Sequence, residues 1–574
     1  MTDQTAGGLI TTARSRLSLR ELRPGTAYAV ALVLLLGMIS YRWGTEGGAT
    51  TSIFTLAACM AMASVLILIT RRVMFSAVAV TALALLVLLG SSIKLTKMNM
   101  VMHAYDLIFY LSSWSTVSYL WEDYRRDVLI VAAALISALL IGWITYRIDG
   151  SRAPRNIAAM ATAVFFTIAT GALTAKGERR HTEFAYAGQY LTYFFSSLPE
   201  TFDALWRGQL LEAALRAPGP AFRIPTTCRP ATAPPNIILI HQESVVPPSH
   251  FPQLTYDRSL DPFFRSHDNH LHKMRVETYG GASWLTEFSL LAGVSTYSFG
   301  SMRSFVQLLM AGRVHDTLPQ TLARCGYRNV VFYPMLRNFV SNDRFYTAIG
   351  LKEIFDAKDQ RAKVVNERDR FYYDNALNEM ERHFAKGPQP LFTFVQTMAT
   401  HWPYSIKFSP EMEVAGGAPG THPEMHEYLR RLAIASMDYT YLKAELQRRF
   451  PDQRFLIVHY GDHHPMATRT LLGFHERTEA EDVHLDIDSP GFLTYFAVDG
   501  IKYRPPDLPQ QDVVDVPYLG TLILEAAGLP LSDAYRERQR LLQVCQGRYY
   551  SCKDRGEILR FHRRLIDSGL VQAR

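Results

Sequence analysis

Five apolar stretches in the first third of the chain constrain its fold more than any other feature. They lie at 24–41, 51–70, 73–93, 128–146 and 157–175, and none carries an internal acid or base. Each has the length needed to cross a bilayer, roughly 17–25 residues. The first is not a cleavable signal peptide, because it starts late and four more spans follow. Five such helices so close together would be unusual as the buried helices of a soluble protein.

Basic residues in short loops set the expected orientation. Arg14, Arg16, Arg20 and Arg23 precede the first span. Arg71 and Arg72 separate spans two and three, and Arg147, Arg152 and Arg155 separate four and five. Alternating spans put all three groups on one side, which is therefore cytoplasmic. Five is odd, so the chain after Ala175 is expected outside the inner membrane. The loop 94–127 holds an aromatic-rich stretch, 100–121, that reads as one or two amphipathic helices lying in the outer interface. His103 and Asp106 argue against a sixth crossing.

Cys228, Cys325, Cys545 and Cys552 all fall in the external part, an even number suited to an oxidising space. Cys545 and Cys552 could close a small loop and Cys228 and Cys325 could form the other bridge, although four cysteines allow three pairings. The net charge of +7 is spread out, with no Lys/Arg run of the kind that tracks nucleic acid.

Residues 176–235 read as a linker, with helix-compatible aromatic spacing at 183–211 and a proline-rich end. From 236 the pattern changes. Short apolar runs at 236–241, 329–333, 391–396, 454–460 and 492–498 alternate with helical stretches at 315–325, 374–384 and 424–450. This predicts a mostly parallel sheet covered by helices on both faces, with its site beyond the carboxyl ends of the strands. The domain is expected to span 236–530, followed by an extension at 531–574.

Polar residues follow these strands. Glu243 follows the first, Asp462, His463 and His464 follow the run at 454–460, and His401 and Trp402 follow the run at 391–396. Two carboxylates and an imidazole converging there would bind a divalent metal. In 277–290, Gly280 and Gly281 permit a tight turn, and Ser283 can sit at a helix N-terminus, where backbone N–H groups favour an anion. Beside a metal, such a serine can lose its proton and attack phosphorus. As a bland alternative, it is a helix cap.

These residues resemble the alkaline phosphatase/sulfatase superfamily. Within it they look like the membrane-anchored phosphoglycerol transferases, the group of lipoteichoic acid synthase and the periplasmic-glucan phosphoglycerol transferases; phosphoethanolamine transferases acting on lipid A are more distant. The resemblance rests on Glu243 after the first strand, on Ser283 with Glu287 and Phe288, on Tyr460-Gly461-Asp462-His463 and on Thr397 to His401. It implies a metal held by Glu243, Ser283, Asp462 and His463. Three oxygens and one nitrogen suit Mn2+ or Zn2+ better than Mg2+.

It further implies Ser283 as nucleophile, with His401 and His464 as proton carriers or phosphate donors. The donor would be a phospholipid, the acceptor an envelope glycan or glycolipid, and phosphoglycerol the favoured headgroup. Phosphoethanolamine transfer and hydrolysis are the alternatives. Two departures stand out. Ser283 replaces the usual Thr, and 338–343 replaces a Trp-Asn-Arg-Asp stretch that helps to hold the headgroup. Arg337 or Arg344 could supply the missing charge, with His401 and Trp402 completing the substrate contacts. A sulfatase of the usual kind needs x-Pro-x-Arg after its nucleophile, whereas Trp284-Leu285-Thr286-Glu287 follows Ser283.

Overall fold

The computed structural model describes residues 21–46, 49–98, 100–111, 114–175, 189–208, 210–418, 420–474, 485–508 and 510–572. Arg14, Arg16 and Arg20, and the linker's first part at 176–188, lie outside them. The chain divides into two compact units, residues 1–89 with 129–177, and residues 90–128 with 178–574.

Five helices are long and apolar enough to cross a membrane: Pro24–Tyr41, Ala49–Thr70, Val73–Met98, Arg125–Ile148 and Arg155–Ala175. Arg125–Ile148 buries none of its residues, and Leu139 and Trp143 are exposed on it, as expected of a surface written for lipid. At one end of the first unit the basic segments meet. Leu22 N–H donates to the Ile148 carbonyl (2.7 Å), Arg71 Nε to Ala153 O (3.2 Å), and Val73 N–H to Ser151 Oγ (2.8 Å). Phe75 N–H donates to Asp149 Oδ2 (2.9 Å). Three loops that the sequence assigns to one side therefore form one hydrogen-bonded cluster.

The second unit is an α/β fold. Its strands are β1 (Asn236–Gln242), β2 (His272–Arg275), β3 (Arg328–Phe332), β4 (Glu353–Phe355), β5 (Leu391–Gln396), β6 (Phe455–Gly461), β7 (Leu493–Ile501) and β8 (Val514–Asp515). They form one sheet in the order β4-β3-β5-β1-β6-β7-β2-β8. The run from β4 to β6 is parallel, while β7 is antiparallel to both β6 and β2. The three strands not expected from sequence, β2, β4 and β8, are the shortest. They show little apolar run because they lie toward the sheet's edges.

Alternation along β1 explains the layers. Ile237 and Leu239 enter one buried cluster and Ile238 and Ile240 the other, so both sheet faces are covered. Residues 531–572 belong to the same compact unit. Helices Asp533–Val544 and Arg555–Asp567 bury Leu541, Leu542, Phe561 and Leu565 in the first cluster. Cys228 pairs with Cys325 and Cys545 with Cys552, one of the three pairings that four cysteines allow.

The stretch 100–121 forms two short helices, Asp106–Phe109 and Trp114–Asp123. His103 and Asp106 are buried, and Asp106 accepts two bonds from Lys94 Nζ (2.8 and 2.7 Å). The linker's aromatic part forms the helix Tyr190–Arg207.

Candidate active site

Parallel pairing aligns the site. In register, Gln242 faces Gly461, so the chain leaving β1 and the chain leaving β6 turn together. A Cβ on Gly461 would lie 1.9 Å from the Val245 carbonyl oxygen, so this position requires glycine. Just beyond it Asp462 is fully buried. Its Oδ1 accepts the backbone N–H groups of Ser244 (2.7 Å) and His463 (2.8 Å). Those bonds fix the carboxylate and leave Oδ2 to project among imidazoles, 3.0 Å from His241 Nε2 and 3.3 Å from His463 Nε2.

The serine arrives on a strained turn. Gly280, Gly281 and Ala282 all have positive φ (70°, 153° and 62°), and the last costs energy for a residue with a Cβ. The turn is pinned by Gly280 N–H to His464 O (2.9 Å) and Thr278 Oγ1 to Gly281 O (2.6 Å). Ser283 is the first residue of the helix Ser283–Ala292, and its hydroxyl does not cap it. Instead it donates to Glu243 Oε2 (3.0 Å) and lies 3.4 Å from His463 Nε2. At the far end of that helix the buried Arg538 donates to the carbonyls of Gly293 (2.9 Å) and Ala292 (3.0 Å), a cation where the dipole favours one.

Glu243, Ser283, Asp462 and His463 are thus brought together. His463 Nδ1 donates to the His464 carbonyl (2.9 Å), which leaves Nε2 toward the carboxylates. Burial opposes charge on this ring, but Asp462 and Glu243 override it and raise its pKa to about 9. Burial likewise opposes charge on Glu243, yet the neighbouring imidazoles of His463, His401 and His241 hold it below the usual carboxylate range.

A fifth group, His241, was not expected from sequence, where it reads as the end of an apolar strand. Its Nδ1 meets the Tyr460 hydroxyl at 2.8 Å. With Glu243 and Asp462 it offers ligand atoms all within 4.8 Å of one another. His241 Nε2 and Asp462 Oδ2 are buried, and beyond the imidazole–carboxylate contacts at 3.0 and 3.3 Å neither has a hydrogen-bond partner. Buried polar atoms left so are costly. A cation between carboxylates and imidazoles would satisfy them, and the donor set therefore fits a divalent metal.

The site opens into a cavity of about 670 Å³. His401 and Trp402 line it, with Trp402 57% exposed and His401 Nδ1 donating to the Trp402 carbonyl (2.6 Å). Three further candidates do not line it. His464 is buried with Nε2 donating to Leu493 O (2.8 Å) and Nδ1 3.3 Å from Thr468 Oγ1; burial pushes its pKa down to about 3. Arg337 is bound to Asp356 (3.0 Å) and to Asp359. Arg344 is exposed. From the departing stretch 338–343, Phe339 and Asn342 reach the cavity, and its lining cations are Lys97 and Arg469.

Residues 235–492 match the sulfatase family model. An uncharacterised protein of Haemophilus influenzae is 22% identical over 322 residues, 52% of this chain, and the match spans 55% of that protein's length. Among solved structures, the Streptococcus pyogenes phosphoglycerol transferase GacH, in complex with sn-glycerol-1-phosphate, is 18% identical with a TM-score of 0.46, over 61% of this chain and 87% of that one. The lipooligosaccharide phosphoethanolamine transferase EptA of Neisseria meningitidis is 12% identical with a TM-score of 0.49, over 90% of this chain and 96% of that one. The part of the chain that matches the sulfatase family model, residues 235–492, is carried together with five membrane-length apolar helices.

Proposed function

We propose that the protein is a membrane-bound phosphotransferase that moves a phosphoalcohol headgroup, phosphoglycerol in preference to phosphoethanolamine, from a phospholipid to a hydroxyl of an envelope glycan or glycolipid. One observation carries this reading. The Ser283 hydroxyl is turned away from capping its helix and set 3.0 Å from a carboxylate and 3.4 Å from an imidazole, beside a site fit for a divalent cation. Glu243, Ser283, Asp462 and His463 would hold the metal, Mn2+ or Zn2+ ahead of Mg2+, with His241 adjoining. When bound, it lowers the pKa of the serine hydroxyl and offsets charge on the phosphoryl oxygens.

The reaction runs in two displacements. Ser283 Oγ gives up its proton to the Glu243 carboxylate, to which it already donates, and attacks the phosphorus. The bond to the diacylglycerol oxygen breaks, that oxygen takes a proton, and the phosphoalcohol remains on Ser283. A hydroxyl of the acceptor then attacks the same phosphorus, and the bond to Ser283 Oγ breaks as that oxygen takes back a proton. His401, at the open part of the cavity, carries the proton from the entering hydroxyl. His464, with both ring nitrogens engaged, supports the turn through its carbonyl instead.

The oxidising space implied by two disulfides supports a periplasmic catalytic domain, with the N-terminus cytoplasmic and the helices in the inner membrane. The test is mass spectrometry of the full-length protein incubated with phospholipid vesicles. A phosphoalcohol adduct on Ser283, with free diacylglycerol, is expected. Lipid consumed without an adduct would overturn the covalent route, and water as the product-forming acceptor would make the protein a hydrolase.

A further inference from the structure

The helix Val73–Met98 continues past its apolar run, and its last turns, from Gly90 on, belong to the compact unit that holds the site. Two lysines on this end differ in their use. Lys94 is buried and clamped by Asp106, with its ammonium 5.6 Å from the centre of the Phe305 ring. Tyr105 packs on that same ring (4.9 Å). The clamp fastens the helix end to the catalytic unit. One turn on, Lys97 lines the cavity with Ser283. Its side chain is 43% exposed, and its ion pair with Asp127 is long, at 3.7 Å.

Charge in the cavity is lopsided. Among the described lining residues the carboxylates are Glu243 and Glu287. Glu243 belongs to the donor set, and Glu287 Oε2 accepts from Tyr346 OH (2.6 Å) and Gln307 Nε2 (3.3 Å). Neither is left to receive an ammonium headgroup. Of the two lining cations, Arg469 is 19% exposed and 3.4 Å from Glu424, whereas Lys97 is 43% exposed with the Tyr124 ring 5.8 Å away, which leaves Lys97 the more accessible.

We propose that Lys97 is a specificity-determining residue whose ammonium attracts the phosphate of the donor lipid but repels a cationic headgroup, so that it favours an anionic phospholipid and gains little from a zwitterionic one. This rests on the reading of the site as a phospholipid headgroup transferase. It also explains why a cavity without Arg337 and Arg344 still accepts a phosphodiester. A compact ammonium on a flexible stem can follow a phosphate that moves as the headgroup is transferred.

The test is equilibrium binding of short-chain phosphatidylglycerol to full-length Ser283→Ala protein in detergent, read by tryptophan fluorescence, with phosphatidylethanolamine of equal chain length as comparison. Adding Lys97→Met should weaken phosphatidylglycerol binding on the order of tenfold, the size of one charge-assisted bond. It should leave phosphatidylethanolamine binding within twofold. Lys97→Arg should retain most of the affinity, and Asp127→Asn should match the parent. In otherwise wild-type enzyme Lys97→Met should raise KM and leave kcat within twofold. Unchanged phosphatidylglycerol affinity, or an equal loss from Asp127→Asn, would overturn the proposal. Lys97→Gln repeats the test should the methionine variant not fold. A missing Ser283 adduct in the wild type would instead sink the transferase reading, while the binding result stands by itself.

Discussion

At the deep end of the site, Asp462 is fully buried, two backbone N–H groups hold one of its oxygens, and adjacent parallel strands aim it. At the open end, Trp402 is 57% exposed, the His401 ring bonds its neighbour's carbonyl, and Lys97 arrives from a helix end. The difference shows how the two tasks are divided. Chemistry needs groups fixed to fractions of an ångström, so its residues stand on paired strands and a strained turn. Recognition of a flexible substrate tolerates movement, and the residues proposed for it stand on loops and chain ends.

The comparison breaks first if the deep end can be altered without loss. Asp462→Ala should abolish metal uptake and lower turnover by at least ~10³-fold, since it removes a ligand and a point of order together. Metal analysis and turnover check this, and a variant with full metal would refute the assignment. Ser283→Asn should fold and bind metal yet lose transfer by several orders of magnitude, whereas Ser283→Thr should keep measurable transfer. A helix cap would tolerate Asn at a cost of only about 1 kcal/mol.

Gly461→Ala tests the strand alignment. Its Cβ would collide with the Val245 carbonyl, so a loss of about 3 kcal/mol in chemical denaturation is expected.

A pH experiment sharpens the electrostatics. The His463 pKa is raised from its ordinary 6.5 to about 9, so in metal-free protein its contribution to stability is complete below pH 6.5 and disappears as pH rises through 9. Metal-free melting temperature should fall over that window. Metal binding must displace the same proton, so affinity should rise about tenfold per pH unit between 6.5 and 9, and metal-loaded protein should not show the fall. Calorimetric titration in two buffers of different ionisation enthalpy would count the proton.

The smallest effect is expected at Arg337. It is engaged by Asp356 and Asp359 and does not line the cavity, so Arg337→Ala should change KM less than about twofold and cost about 1 kcal/mol or less of stability. A tenfold rise in KM would show that it reaches the substrate.

Five membrane-length apolar helices, a mostly parallel sheet and four of the convergent groups were legible in the chain because each is written locally. Lipid and a buried sheet both demand continuous apolar runs, and a strand end followed by Asp-His or Glu announces itself. His241 was not legible. An imidazole ending an apolar run reads as a core residue until Tyr460 and Asp462 are seen beside it. Nor was the sorting of two adjacent histidines, because only the backbone turn after Gly461 sends His463 toward the carboxylates and His464 toward Leu493. Lys94 and Lys97 look alike in sequence. Three residues on a helix separate the one locked by Asp106 from the one that lines the cavity, and that choice belongs to packing. The sequence by itself determined which chemical groups are present and which segments must leave water. The tertiary structure decided which of those groups meet, because contacts between residues far apart in the chain depend on register, turn geometry and burial that no local pattern encodes.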